Sequence, residues 1–293
     1  MSKCGAFRNI LAAIGAVFIS VIALAVVISI VTGGGVTGDK VAVVDIKGVI
    51  ADPYEVNETL RELGERDDVK AVVLRIESPG GAVGPSQEIH GEILRLKEKK
   101  TVVASMGAVA ASGGYYAAVA ADRIMANPGT ITGSIGVIVE FVNAQELLGK
   151  IGLKGYVVKS GKFKDVGSPL REMEKEEREL LQTLINDVNG QFIKAVAEGR
   201  GLKTEEVKKI ADGRIFTGAQ AKELKLVDEL GGLSDAIALS ASLAGIEGEP
   251  SVIYPERQKI SIWKTFSGGA SIESLTELFT GLRVSYMIQN PAR

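Results

Sequence analysis

Histidine, cysteine and tryptophan occur once each in this chain of 293 residues, and proline only eight times. A single cysteine, Cys4, excludes an internal disulfide framework and any multi-cysteine zinc site. A single histidine, His90, excludes a histidine-rich metal centre and leaves a reactive serine almost without its usual base. No metal and no cofactor are expected. A formal net charge of -2, with lysines and arginines scattered among acids, gives no electrostatic case for nucleic acid. No internal repeat and no low-complexity tract is visible.

The chain does have one long uncharged run. From Ile10 to Val31, "ILAAIGAVFISVIALAVVISIV" continues for roughly 22 residues, enough to cross a hydrocarbon core of about 30 Å. It exceeds the apolar region of about 7–15 residues found in cleavable signal peptides. Lys3 and Arg8 precede it and a balanced Asp39/Lys40 pair follows, which predicts a cytoplasmic N-terminus (1–9), a membrane anchor (10–31), a glycine-rich tether (32–39) and an extracytoplasmic remainder. Cys4 lies before the span, where a lipoprotein-type cysteine would not be.

Beyond the tether, short β-branched runs alternate with amphipathic ones. Strands are expected at 40–50, 70–78 and 101–107, with helices at 54–66, at 86–99 and after Ser112. "DRIMA", "TITGSIGVI" and "GYVVK" also have strand character. This βαβ order, with near-continuous Val/Ile/Ala strands, predicts an α/β fold with a parallel sheet covered on both faces. A long amphipathic helix is expected from Glu172, with shorter helices in "KTEEVKKIAD" and "LSDAIALSASLAG". The tail 250–293, with Trp263, Phe266 and Phe279, is either an oligomer arm, the preferred reading, or a loosely packed end.

Ligands in parallel α/β sheets bind beyond the carboxyl ends of the strands. Two glycine-rich segments fall there: "ESPGGAVG" (77–84) and "GAVAASGGYY" (107–116). They are either ordinary turns or a pair of backbone-amide loops around a nucleophilic Ser112. His90 is read as a helical residue of the surface or half-interior, so an activated Ser112 needs another base. A lysine in a dry cleft can serve, because desolvation lowers its pKa. The loop "VVKSGKFKDVGSP" (157–169) offers Lys159, Lys162 and Lys164, and composition does not choose among them. Ser134 in "TGSIGV" is either a turn serine or a hydroxyl that orients an amine.

Five ordered blocks carry a resemblance to a known family: "IESPGG" (76–81), "GAVAASGGYYAA" (107–118), "TGSIGVI" (132–138), "SGKFKDVGSPLREMEKEE" (160–177) and "GRIFTGAQAKELKLVDELGG" (213–232). Over about 40–245 the chain resembles the signal peptide peptidase A family, membrane-anchored serine proteases with a Clp protease/crotonase-like fold. The resemblance implies such a domain over 40–249, with Ser112 as nucleophile and Lys164 as general base. It further implies that Ser134 holds Lys164, and that the amides of Gly81 and Gly113 form the oxyanion hole. Lys162 departs from the small or polar residue more usual in the family. Leftover signal peptides and other apolar or unfolded peptides are the implied substrates, and a ring- or dome-like homo-oligomer the implied assembly. The alternatives are another membrane-bound Clp-class protease acting on membrane proteins, a non-catalytic membrane-tethered scaffold, and a soluble acyl-CoA enzyme of the wider superfamily.

Overall fold

The structure is a computed structural model describing residues 15–24, 39–255 and 285–287. It divides into two units, residues 1–39 and 40–293. In the first, residues 15–24 form a helix, α1, with exposed side chains. The rest of the expected span Ile10–Val31 lies outside the described residues. Among the described residues, no helix is long and apolar enough to cross a membrane.

The second unit is built on a sheet whose strands run β7-β6-β4-β2-β1-β9, with β5 against β4 and β8. Its centre is β1 (Lys40–Lys47), β2 (Val69–Ser78) and β4 (Thr101–Ala111), all parallel. Successive strand residues face opposite sides of a sheet. Ala42, Val44, Ile46, Val72, Leu74, Ile76, Val102 and Ala104 therefore enter one core, and Val41, Val43, Ala71, Val73 and Val103 the other. Helices α2 (Tyr54–Glu65), α3 (Val83–Lys97) and α4 (Gly113–Ala118) contribute to the first core, α9 (Leu233–Leu243) to the second. Burial on both faces is why these strands read as continuous apolar runs rather than alternating ones.

Strand β4 runs four residues past the expected end at Gly107, and there it changes partner. Val103–Met106 pairs with β5 (Arg123–Ala126), whereas Val109–Ala111 pairs with β6 (Ile131–Gly133). The sheet thus forks along β4, and the far prong delivers Ser112. The outer edge of β6 is closed by β7 (Ile215–Thr217), the one antiparallel pair in this sheet among the described residues.

"GYVVK" (155–159), expected as a strand, forms none. A strand needs a ladder partner, and β6 already has β4 on one edge and β7 on the other. The segment runs over the surface instead, with Tyr156, Val157 and Val158 exposed. The long helix α6 spans Lys175–Arg200, and Glu177 accepts the Glu174 N–H at its start. Arg200 at its end pairs with Asp228, which also accepts the Ile124 amide of β5. Strand β8 is Glu229–Leu230, and β9 (Ser251–Ile253) adds to β1. Short helices α5 (Gln145–Lys150), α7 (Thr204–Lys208) and α8 (Gly218–Glu223) fill the connections. A separate two-stranded ribbon joins β3 (Gly80–Ala82) antiparallel to β10 (Ser285–Met287).

Candidate active site

Ser112 sits at the junction of β4 and α4 with φ 53° and ψ -117°. That is the first central position of a type II′ turn, a place glycine normally takes, and holding serine there costs about 1–3 kcal/mol. Two bonds hold it: the Ser112 N–H donates to the Gly133 carbonyl at 2.8 Å, and Tyr116 N–H donates to the Ser112 carbonyl at 2.8 Å. Helix α4 behind it is wholly buried, and the Tyr115 hydroxyl donates to the Leu226 carbonyl at 2.9 Å. Ser112 is itself buried.

The glycine loops meet beside it. Gly80 and Ala82 bond Ile50 on one side, Ile50 N–H to Gly80 O at 2.9 Å and Ala82 N–H to Ile50 O at 2.8 Å. Strand alternation turns the amide and carbonyl of Gly81 the other way, toward the β10 side. A β-carbon on Gly81 would lie 2.1 Å from the Ile50 carbonyl oxygen. One on Gly113 would lie 2.5 Å from Ser86 Oγ and 3.1 Å from the Gly81 nitrogen. Only glycine lets these two backbones approach, and the residue that approaches Gly81 is the one that follows Ser112. Behind them, Ser78 Oγ accepts the Gly80 N–H at 3.1 Å and donates to Gly48 O at 2.6 Å. Ser86 Oγ donates to Ala82 O at 2.8 Å. Sequence reasoning missed Ser78, Ser86 and Ile50 as supports. Ser78 stood inside the quoted "IESPGG", but nothing local marked Ile50.

Ser134 follows the Gly133 that bonds Ser112, also at positive φ (51°), with its N–H donating to Arg214 O at 2.8 Å. Lys164 lies on an exposed turn at 161–167, closed by its own N–H to Gly161 O at 3.1 Å. The structure thus bonds Ser112 to Gly133, the neighbour of Ser134, and packs Gly113 against Gly81. It joins Lys164 to none of them by a hydrogen bond among the described residues. Of the three lysines in this loop, Lys159 pairs with Asp165 at 2.5 Å and Lys162 with Glu176 at 3.5 Å. Lys164 has no ion pair among the described residues. His90 is half-buried with its ring 4.9 Å from that of Tyr116, which in turn lies 5.0 Å from Phe192. Burial pushes its imidazole down to about 4, with Glu198 opposing and Lys97 reinforcing, and it makes no hydrogen bond to Ser112.

A strained serine at a strand-to-helix junction, beside a glycine strand packed against the helix start, is an arrangement suited to serine acyl transfer. The chain belongs to peptidase family S49, whose family model matches residues 95–247, and it is a serine protease. It is 49% identical over 237 residues to a provisionally named protease of Synechocystis sp., covering 80% of this chain and 85% of that one. A provisionally named signal peptide peptidase of Enterococcus faecium is 37% identical over 217 residues, 69% of this chain and 63% of its own. Protease 4 of Salmonella typhi is 36% identical over 221 residues, 72% of this chain but only 36% of its own length.

Proposed function

We propose that the chain is a membrane-anchored endopeptidase that cleaves apolar, extended peptides, including signal peptides left in the membrane, by a Ser112–Lys164 dyad. The reading takes the sheet and its covering helices as a Clp/crotonase-like domain. One observation carries it: the strained Ser112 elbow is followed by Gly113, whose backbone packs closely on that of Gly81. Ser112 Oγ attacks the peptide carbonyl while neutral Lys164 takes its proton, and the two amides hold the oxyanion. Lys164 then gives the proton to the leaving amine, and later takes one from the water that hydrolyses the acyl-enzyme. Ser134 is the hydroxyl that orients the amine. Lys164 is preferred over Lys159 and Lys162 because those two are already paired.

The substrate class is supported by β10. An extended segment lies antiparallel on β3, with Tyr286 opposite Gly81. A peptide added to the same edge would bring its carbonyls to the Gly81 amide, and backbone pairing of this kind tolerates many side chains. The run Ile10–Val31 supports the anchor, with the catalytic unit outside the cytoplasm. Exposed Val142, Leu147, Ile151, Leu153, Tyr156 and Val158 form an apolar stretch that suits a homo-oligomer.

The test is hydrolysis of an apolar peptide by the full chain and its variants. Ser112→Ala and Lys164→Ala are expected to lose at least about 10³-fold in kcat/KM, and Lys162→Ala to lose little. Full activity in Ser112→Ala would overturn the mechanism, and loss in Lys162→Ala alone would reassign the base.

A further inference from the structure

The turn that carries Lys164 is fastened by charge rather than by a hydrophobic core. Asp165, the next residue, has both carboxylate oxygens occupied. Oδ2 accepts Arg171 Nε at 2.9 Å, while Oδ1 accepts Arg171 Nη2 at 2.8 Å and Lys159 Nζ at 2.5 Å. The other edge of Arg171 grips Glu177, which is buried in the first turn of α6. Nη1 reaches Oε2 at 2.8 Å and Nη2 reaches Oε1. The same guanidinium donates to the carbonyls of Glu172 at 3.0 Å and Asp165 at 3.3 Å. Lys159 also donates to the Lys162 carbonyl at 2.9 Å. Two cations and two carboxylates close on one another with no net charge, and Lys162 is turned away to Glu176.

This arrangement bears on how a lysine becomes a base. A carboxylate beside an amine favours the charged amine and holds its proton. Asp165 is adjacent to Lys164 in the chain, but its two oxygens point to Arg171 and Lys159. We propose that Arg171 and Lys159 are positioning residues for catalysis: they sequester Asp165 and fix its turn to α6, leaving Lys164 without an anionic partner among the described residues. The idea rests on Lys164 being the base. The hydrogen bonds from Arg171, and then from Lys159, also hold the Asp165 carboxyl well below the usual range. Arg171 likewise keeps Glu177 down to about 2. Asp165 therefore stays anionic across the working range, so it must be neutralised by partners rather than by protonation. Arg171 is suited to this because its planar guanidinium binds two carboxylates bidentately at once, which an ammonium cannot do.

The test is the pH dependence of kcat/KM for an apolar peptide, measured on the full chain. Arg171→Gln frees Asp165 toward Lys164 and is expected to move the ascending limb up by about one pH unit. Lys159→Gln, on a more exposed side chain, moves it the same way by less. Asp165→Asn combined with Arg171→Gln returns the limb to its parent position, because no carboxylate is left to hold the proton. A purely structural role would lower activity without moving the limb or restoring it in the double variant. Limbs unmoved in both Arg171→Gln and Lys159→Gln, or a limb still raised in the double variant, overturn the proposal. Should Arg171→Gln fold too poorly to assay, Lys159→Gln decides. Lys164→Ala in the same assay separates the two levels. Activity retained there overturns the dyad itself, whereas an inactive Lys164→Ala with unmoved limbs overturns only the positioning role.

Discussion

At the scale of single residues, the site depends on atoms that are not there. Gly113 has no β-carbon, and the space one would need is held by Ser86 Oγ at 2.5 Å and the Gly81 nitrogen at 3.1 Å. Gly113→Ala is therefore expected to cost about 10²–10³-fold in kcat, the range for spoiling one oxyanion donor. Adding Ser86→Ala removes the hydroxyl clash and leaves the crowding at Gly81, so the double variant should stay impaired. Recovery in the double variant would trace the defect to Ser86 alone. The motifs were legible in advance: Ser112 and its glycines stand in ordered blocks of the sequence. The elbow itself was not legible, because nothing in "AASGG" states that serine adopts the φ of a glycine. Arg171 was equally hidden. It lies six residues from each of its carboxylate partners, and only the fold of the turn brings both to one guanidinium.

At the scale of elements, α3, α4 and α6 meet through the rings of His90, Tyr116 and Phe192. His90 is neutral there, its pKa lowered to about 4 by burial, against about 6.5 in an unfolded chain. Between those values the unfolded state binds a proton that the folded state does not. The contribution of His90 is therefore intact above about pH 6.5, falls as the pH drops toward 4, and levels off below. The loss is up to about 3 kcal/mol. Denaturant unfolding at stepped pH, compared with His90→Gln, should show this extra slope in the parent chain only. Parallel slopes would mean that the imidazole is hydrated in the folded state. The strands show the other limit of sequence reading. β1, β2 and β4 are β-branched runs with partners on both sides, and they form where expected. "GYVVK" has the same composition, but the edge it needed is held by Ile215–Thr217, from far along the chain. Composition reports willingness to pair, not the vacancy of a partner.

At the scale of the whole molecule, the tail returns to the start of the catalytic unit. Ser285–Met287 lies on Gly80–Ala82, the edge assigned above to an incoming peptide. Three residues carry too little pattern to reveal that pairing beforehand. A segment of the same chain competes with an incoming peptide at an effective concentration set by its link. A chain ending at residue 284 is expected to show KM for an apolar peptide lower by about 3–10-fold, with kcat unchanged. Equal KM values in the two chains would separate β10 from the substrate path.

The fork in β4 has a further consequence. Ser112 hangs from the most heavily paired strand of the sheet, and its own amide is bonded to Gly133. Its neighbourhood belongs to the last part of the molecule to open. Lys164 rides on a surface turn fastened by ion pairs, the kind of segment that opens first and most often. The two halves of the proposed dyad thus sit at opposite ends of the local-stability scale. If that dyad operates, fraying of one turn switches the enzyme off long before its sheet begins to exchange amide hydrogens with water.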